Sequence, residues 1–144
     1  MDRLARKHRA ARTAVPPAII ETRPDATFGI VTLGGCDLAV REALGELDTH
    51  GLHADYMRIR GFPFGEDVDA FLRSHDRMFV VEQNRDAQLR SLLTLETGVA
   101  KHQLYSVLAY GGLPLQANQV VESIVHQIRG TGRSPAPAPD TGAA

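Results

Sequence analysis

Residues 77–95, RMFVVEQNRDAQLRSLLTL, decide the fold because one short apolar run passes through a polar turn into a helical pattern. Residues 78–81 are apolar and partly β-branched, which favours a buried strand. Leu89, Leu92 and Leu93 then recur at helical spacing. Four polar residues separate the two elements: Glu82, Gln83, Asn84 and Arg85. Because functional groups gather at the carboxyl ends of strands in open α/β sheets, these four residues are the first candidate site.

The same alternation of strand and helix continues along the chain. Apolar, β-branched runs predict four strands, at residues 28–33, 54–59, 78–81 and 104–109, and residues 18–21 could add an edge strand. Between the strands, apolar residues recur at helical spacing, as in Val40, Ala43, Leu44 and Leu47. The sequence therefore predicts an α/β fold of three layers, in which a mostly parallel sheet of four or five strands carries helices on both faces.

A chain of 144 residues, of which 43% are hydrophobic and 23% charged, is expected to form one domain. Residues 1–24 are interpreted as a basic helical connector with the candidate edge strand. This arm could bind an acidic partner or RNA, or it could be a surface helix that lies against other protein. Residues 25–129 form the predicted α/β domain. Residues 130–144 are rich in Pro, Ala and Gly, and they are expected to be disordered.

Composition disfavours several classes of function. A net charge of −1 gives the whole chain no electrostatic reason to bind nucleic acid or membrane. The single cysteine, Cys36, excludes an intramolecular disulfide, and the six histidines show no spacing typical of a metal site. No apolar run approaches the roughly 20 residues that span a bilayer, and the basic start lacks the apolar segment of a secretory signal. The cytoplasm is therefore the expected location. Motifs for ester hydrolysis and for P-loop nucleotide binding are absent.

The turn after the first long predicted strand, Gly34-Gly35-Cys36-Asp37, has two interpretations. A strand that runs through glycines into a helix is the geometry that receives a phosphate or another anion. The structural alternative is close packing at the glycine backbone and a helix capped by Asp37, whose carboxylate would repel an anion. Cys36 could likewise be a reactive thiolate at the helix start, but we favour a small packed residue.

Two further motifs have both a functional and a structural interpretation. Phe62-Pro63-Phe64, bracketed by glycines, forms a stiff apolar turn that packs either on a partner or over the domain's own core. Glu82 could orient a group across an interface. In the structural alternative, Glu82, Gln83 and Asn84 bond exposed backbone groups and cap the next helix. Arg85 is expected at the surface or in an interface.

Four stretches resemble one known family: residues 32–44 (TLGGCDLAVREAL), 54–64 (ADYMRIRGFPF), 79–99 (FVVEQNRDAQLRSLLTLETGV) and 110–115 (YGGLPL). They are similar to the C-terminal region of the α subunit of bacterial 2-oxoacid:ferredoxin oxidoreductases, and most of all to the 2-oxoglutarate enzymes. The opening residues look like the connector that precedes this region in longer members, so the chain is expected to be a piece of a longer subunit. The resemblance implies the C-terminal domain fold of transketolase, a three-layer unit with one antiparallel edge strand.

In the family that the sequence resembles, thiamine diphosphate with Mg²⁺ carries the oxidative decarboxylation of a 2-oxoacid. Electrons pass through a 4Fe–4S cluster to ferredoxin, and CoA takes the acyl group. The resemblance places these cofactors on other chains, because this sequence lacks the thiamine diphosphate motif, a GDG followed by an Asn about 30 residues later. One cysteine also cannot hold a 4Fe–4S cluster. No catalytic, cofactor-binding or metal-binding residue is therefore assigned, and the isolated chain is expected to be inactive.

The role that the resemblance implies is structural: this domain would help to hold the β subunit and the remaining α-subunit domains together. The candidate contact residues come from the motifs already described: Glu82, Gln83, Asn84, Arg85, Phe62, Phe64, Gly34 and Gly35. The main alternative is a free-standing α/β module that binds a small anionic or nucleotide ligand at residues 34–37. A third interpretation is a decayed gene fragment without a role.

Overall fold

The computed structural model describes residues 2–130, which form one sheet and five α-helices. The strands are β1 (Ile19–Glu21), β2 (Phe28–Leu33), β3 (Ala54–Ile59), β4 (Met78–Glu82) and β5 (Leu104–Leu108). The helices are α1 (Asp2–Ala14), α2 (Asp37–Thr49), α3 (Glu66–Arg73), α4 (Gln88–Thr97) and α5 (Ala117–Arg129). Single turns of 3-10 helix, Gly34–Cys36 and Lys101–Gln103, precede α2 and β5. The predicted disordered tail lies, from residue 131 onward, outside the described residues.

The strands are arranged in the order β1-β3-β2-β4-β5. All neighbours are parallel except β1, which pairs antiparallel with β3 at the edge. β2 is central, and its Ile30 lies opposite Tyr56 of β3 and Phe79 of β4. Parallel strands in the middle of a sheet are covered on both faces, which explains why their sequences are almost continuously apolar. The predicted mostly parallel sheet with an edge strand is confirmed.

Helices cover both faces of the sheet. α2 and α5 pack on one face, with Ile30 and Phe79, and α3 and α4 pack on the other, with Val31 and Val80. Neighbouring residues of one strand enter opposite cores because side chains alternate along a strand. The three-layer α/β architecture predicted from the sequence is confirmed.

Three strand ends differ by one residue from the prediction, and one of them is that of β5, which ends at Leu108 rather than at residue 109. β4 continues to Glu82, which lies opposite Leu108 of β5, so the first residue of the polar turn belongs to the sheet. β1 begins at Ile19 rather than at residue 18. Elsewhere the observed bounds of β2 and β3 coincide with the predicted ones.

The last turn of α1 and the segment after it are bonded to the α/β domain. Arg12 donates from Nε to the carbonyl of Phe64 at 2.6 Å and pairs through Nη2 with Asp69 of α3 at 3.0 Å. The amide of Ala18 donates to Asp67 at 2.6 Å. These hydrogen bonds hold the C-terminal end of α1 on the side of the sheet that carries α3.

Candidate functional site

The carboxyl ends of β2 and β4 flank the point where the chain changes direction across the sheet. From β2 the chain passes through α2 to β3 on one side, and from β4 it passes through α4 to β5 on the other side. Ligands of open α/β sheets bind at such a switch point. A groove of about 380 Å³ lies here, lined by residues from both strand ends: Leu33, Gly35, Cys36, Glu82, Gln83, Asn84, Gln88, Leu89 and Leu92.

Glu82 caps the helix that follows it. Its side chain is 4% exposed. Oε2 accepts hydrogen bonds from the amide of Leu89 at 2.7 Å and from Nδ2 of Asn84 at 2.6 Å, and Oε1 accepts one from the amide of Arg90 at 3.2 Å. The first amides of a helix have no partner within the helix, so this carboxylate satisfies donors that would otherwise be left unpaired.

Asn84 holds the turn between β4 and α4. Its Oδ1 accepts from the amide of Asp86 at 3.1 Å and from that of Gln88 at 3.3 Å. The turn ends at Ala87, which has a left-handed backbone with φ of 51°. A non-glycine residue in that conformation costs about 1–2 kcal/mol, and the bonds of Asn84 and Glu82 on either side offset this cost. The capping interpretation of Glu82 and Asn84 thus describes the observed geometry.

The switch-point groove does not favour an anion. Glu82 is the one charged residue among the side chains that line it, and Lys, Arg and His are missing from that lining. The α4 N-terminus, where a phosphate would bind, already holds the Glu82 carboxylate. A neutral or apolar group fits this groove better than a phosphate.

Close packing does not explain the two glycines of the turn after β2, Gly34 and Gly35. Close packing at their backbone was expected, but a Cβ on Gly34 would meet no atom within 4 Å, and one on Gly35 would lie 3.8 Å from Oε1 of Gln83. Gly34 instead has a φ of 69°, a conformation that glycine adopts without strain. The prediction of close backbone packing is therefore wrong for this turn.

Asp37 does not cap α2 as predicted. A turn of 3-10 helix precedes α2, so Asp37 is the first residue of the helix, and no side chain bonds its N-terminal amides. The Asp37 carboxylate instead accepts from the hydroxyl of Tyr56 at 2.7 Å and pairs with Arg41 and Arg58. Burial alone would raise the pKa of Asp37, but the Tyr56 hydrogen bond and the two guanidinium groups hold it below its ordinary value. This residue ties α2 to β3.

Cys36 is a packed residue. It is 3% exposed within the core between α2, α5 and the sheet. Burial raises the pKa of its thiol, an effect that nearby hydrogen bonds from Thr32 and Gln83 only partly offset. The predicted small packed residue is confirmed, and the geometry disfavours a reactive thiolate.

The two phenylalanines of the FPF turn have different environments. Phe64 is 3% exposed and belongs to the core beneath α3, whereas Phe62 is 46% exposed. Their rings meet edge to face, with centroids 5.3 Å apart. Phe64 therefore covers the domain's own core, and Phe62 is the member of the pair that can reach another molecule.

The predicted contact residues all lie near one edge of the sheet, the one that carries the carboxyl ends of the parallel strands, but they are not equally accessible. Five are exposed: Gly34, Gly35, Phe62, Gln83 and Arg85. Asn84 is half-buried, and Glu82 and Phe64 are buried. Arg85 pairs with its neighbour Asp86 at 2.9 Å. Buried residues can shape a contact surface here without touching a partner.

Exposed apolar side chains gather at the same edge, and sequence reasoning missed most of them. Leu33 and Leu113 are 45% and 79% exposed, and Phe62 and Tyr110 are both 46% exposed. We call these four residues the edge patch. Tyr110 and Leu113 flank two glycines with φ of 128° and 80°, which turn the chain outward after β5. The paired glycines of the YGGLPL stretch signalled this surface turn in the sequence, although Leu115 at the end of the stretch is buried.

Among the side chains that the structure describes between residues 2 and 130, no three from His, Cys, Asp or Glu converge so as to hold a metal ion. None of the helices in this described part of the chain is long and apolar enough to cross a bilayer.

Comparison with known proteins identifies related chains. No protein-family model matches. Over 129 residues, 86% of this chain, the sequence is 26% identical to the α subunit of 2-oxoacid:ferredoxin oxidoreductase 2 from Aeropyrum pernix. The fold matches that of 2-oxoglutarate:ferredoxin oxidoreductase from Magnetococcus marinus, solved with 2-oxoglutarate, coenzyme A and succinyl-CoA bound. That match has a TM-score of 0.72 and 26% identity over 84% of this chain.

The chain spans about a fifth of both relatives, 20% of the Aeropyrum protein and 21% of the Magnetococcus chain. A third match, to transketolase from Campylobacter jejuni, has a TM-score of 0.55 at 16% identity over 78% of this chain and 19% of that one, and it concerns the fold alone. The resemblance drawn from the four quoted stretches is therefore confirmed, and so is the transketolase-type fold.

Proposed function

Because this chain is homologous to part of the α subunits of 2-oxoacid:ferredoxin oxidoreductases, we propose that it is the C-terminal assembly domain of such a subunit. In this role it binds the β subunit and the remaining α-subunit domains, and it carries no chemistry of its own. The complex would convert a 2-oxoacid, 2-oxoglutarate in the first instance, into an acyl-CoA and pass electrons to ferredoxin. We expect the complex in the cytoplasm.

The observation that carries this proposal is the edge patch. Leu33 ends β2, Phe62 follows β3, and Tyr110 and Leu113 follow β5, so all four lie at the carboxyl ends of parallel strands. Exposed apolar groups of this size that gather at one edge are typical of protein–protein contact surfaces. Tyrosine and phenylalanine are also enriched at such interfaces.

The cofactors of the proposed complex are assigned to other chains. The residues of this chain do not fit a 4Fe–4S cluster, which needs four thiolates where Cys36 is the one cysteine present. They also offer no cationic side chain in the switch-point groove for a diphosphate. Thiamine diphosphate, Mg²⁺ and the cluster would therefore be held outside this domain, and CoA and ferredoxin would act on the complex as a whole.

The test is copurification with defined partners. Tagged chain is expressed together with the thiamine diphosphate-binding β subunit and the remaining α-subunit domains, and the stoichiometry of the purified complex is measured. We expect Leu113→Asp to remove the partners. The matched control is Leu95→Asp on α4. Leu95 and Leu113 are almost equally exposed, at 81% and 79%, but Leu95 lies near the C-terminal end of α4, away from the edge patch.

Equal recovery of partners with Leu113→Asp and Leu95→Asp would show that the edge patch is not the contact surface. Failure of the unchanged chain to retain any partner would overturn the assembly role itself. Circular dichroism of both variants shows whether the domain remains folded. Since both leucines are exposed, we expect neither substitution to disturb the fold.

A further inference from the structure

The outer face of α2 contains an exposed glycine in mid-helix. A Cβ placed on Gly45 would meet no atom within 4 Å, and the residue is exposed. Glycine is unfavourable in a helix interior relative to alanine. Neither a positive φ nor an atom in the described part of the chain requires a glycine at this position. The missing side chain does leave room for another backbone to approach α2 closely.

A groove of mixed polar and apolar lining, which includes two glutamates, lies on α2, the helix that carries Gly45. The groove, of about 470 Å³, runs between α2 and the start of α5, and its apolar lining includes Ala39 and Leu115. Leu38 stands at the groove and is 79% exposed. Glu42 and Glu46 also line it, and the carboxylate of neither forms a hydrogen bond or ion pair within the described residues. We call this surface the α2 groove.

Helix α1 presents a row of residues complementary to the α2 groove. Arg3, Lys7 and Ala10 are exposed at intervals of four and three residues, so they lie along one side of α1. Four residues advance about 6 Å along any α-helix. An antiparallel α1 would therefore bring Lys7 to Glu42 and Arg3 to Glu46, with Ala10 beside Leu38.

The α1 of the same chain is held away from this groove. Arg12 bonds α1 to Phe64 and to Asp69 of α3. α3 packs on the face of the sheet opposite to α2. A helix seated in the α2 groove must come from another molecule.

From this complementarity we propose that a second copy of this chain docks its α1 in the α2 groove. The contact joins two opposite-charge pairs across antiparallel helices, and Gly45 lets the two backbones come close. Each copy both offers an α1 and carries a groove. The edge patch takes no part in this contact, so the inference does not depend on the proposed function.

The test measures self-association of the full chain by sedimentation velocity at protein concentrations from 1 to 200 µM. We expect the sedimentation coefficient to rise with protein concentration at low ionic strength and to fall towards that of a monomer in 0.5 M NaCl. Charge reversal in the groove, E42K with E46K, should abolish association. So should R3E with K7E in the other helix. An equimolar mixture of the two variants should associate again, because both contacts are then complementary.

Gly45→Ala is expected to raise the stability of the chain and to weaken its self-association, so it distinguishes the two effects. The alanine has room in the isolated chain, so we expect the Tm of dilute protein to rise by about 2–5 °C. The same substitution should weaken self-association at least 10-fold. A wild-type chain that stays monomeric at 200 µM and low salt would overturn the proposal. A mixture of reversed variants that stays monomeric, or a Gly45→Ala chain that associates as well as wild type, would also overturn it.

Discussion

The carboxylate of Glu82 accepts a hydrogen bond from the amide of Leu89, seven residues further along the chain, at 2.7 Å. This bond joins the end of a central strand to the start of the next helix, across a turn that contains a left-handed alanine. Because this helix end is buried, water cannot readily bond its first amides, and the Glu82 carboxylate accepts hydrogen bonds from them instead.

Removal of this cap should destabilise the domain. We expect Glu82→Ala to lower the free energy of unfolding by about 2 kcal/mol, since two helix amides and Asn84 lose a charged acceptor. Urea denaturation measures the change. Glu96→Ala, an exposed glutamate on the same helix, is the control and should shift the midpoint little. Equal midpoints for the two variants would contradict the capping role.

The conformation of Gly34, rather than packing around it, should limit substitution in the turn after β2. We expect Gly34→Ala to cost about 1–2 kcal/mol, because alanine at a φ of 69° is strained. Gly35→Ala should be nearly neutral, since its Cβ would lie 3.8 Å from the nearest neighbouring atom. Chemical denaturation of both variants checks the difference, and the reverse ranking would restore the packing explanation.

Acid should weaken the link that Asp37 makes between α2 and β3. The pKa of this carboxyl lies below its ordinary value, so its contribution to stability is present above about pH 4 and is lost as pH falls through the folded-state pKa. We expect the stability difference between wild type and Asp37→Asn to be largest near pH 6–7 and to shrink below pH 4. Urea midpoints from pH 3 to pH 7 measure it.

The control for this acid dependence is Asp76→Asn, because Asp76 is exposed and bonds no side chain in the described residues. Its midpoints should run parallel to those of wild type across the whole range. A constant difference between wild type and Asp37→Asn at every pH would show that Asp37 acts through its shape and not its charge.

The isolated chain should bind none of the small ligands of the proposed complex. We expect no change in Tm with CoA, thiamine diphosphate or ATP, because the switch-point groove lacks a cation and its helix N-terminus already holds Glu82. A ligand at 100 times its Kd would add about 2.7 kcal/mol, a readily measured shift. Such a shift would favour a free-standing ligand-binding module over an assembly domain.

The layout of the fold was predictable because its strands are short, apolar and β-branched. The bounds of β2 and β3 follow directly from that pattern, and the alternation with helical stripes predicts the layers. The error at Asp37 arose from one turn of 3-10 helix, which no residue type signals and which moves the helix start by a residue. Hydropathy also cannot tell that Leu38 is exposed while Val40, two residues on, is buried. The exposed apolar surface, on which both proposals depend, was therefore the part of the molecule least visible in the sequence.

Glu82 also determines whether folding of the domain depends on the concentration of a small ligand in the cell. In many α/β proteins a bound phosphate supplies the negative charge at this helix N-terminus, so folding is coupled by mass action to the concentration of a metabolite. A carboxylate on the same chain cannot dissociate, and its effective concentration stays constant. The folded domain is thereby independent of metabolite supply, and in the proposed complex the abundance of partner chains would become the variable that controls assembly.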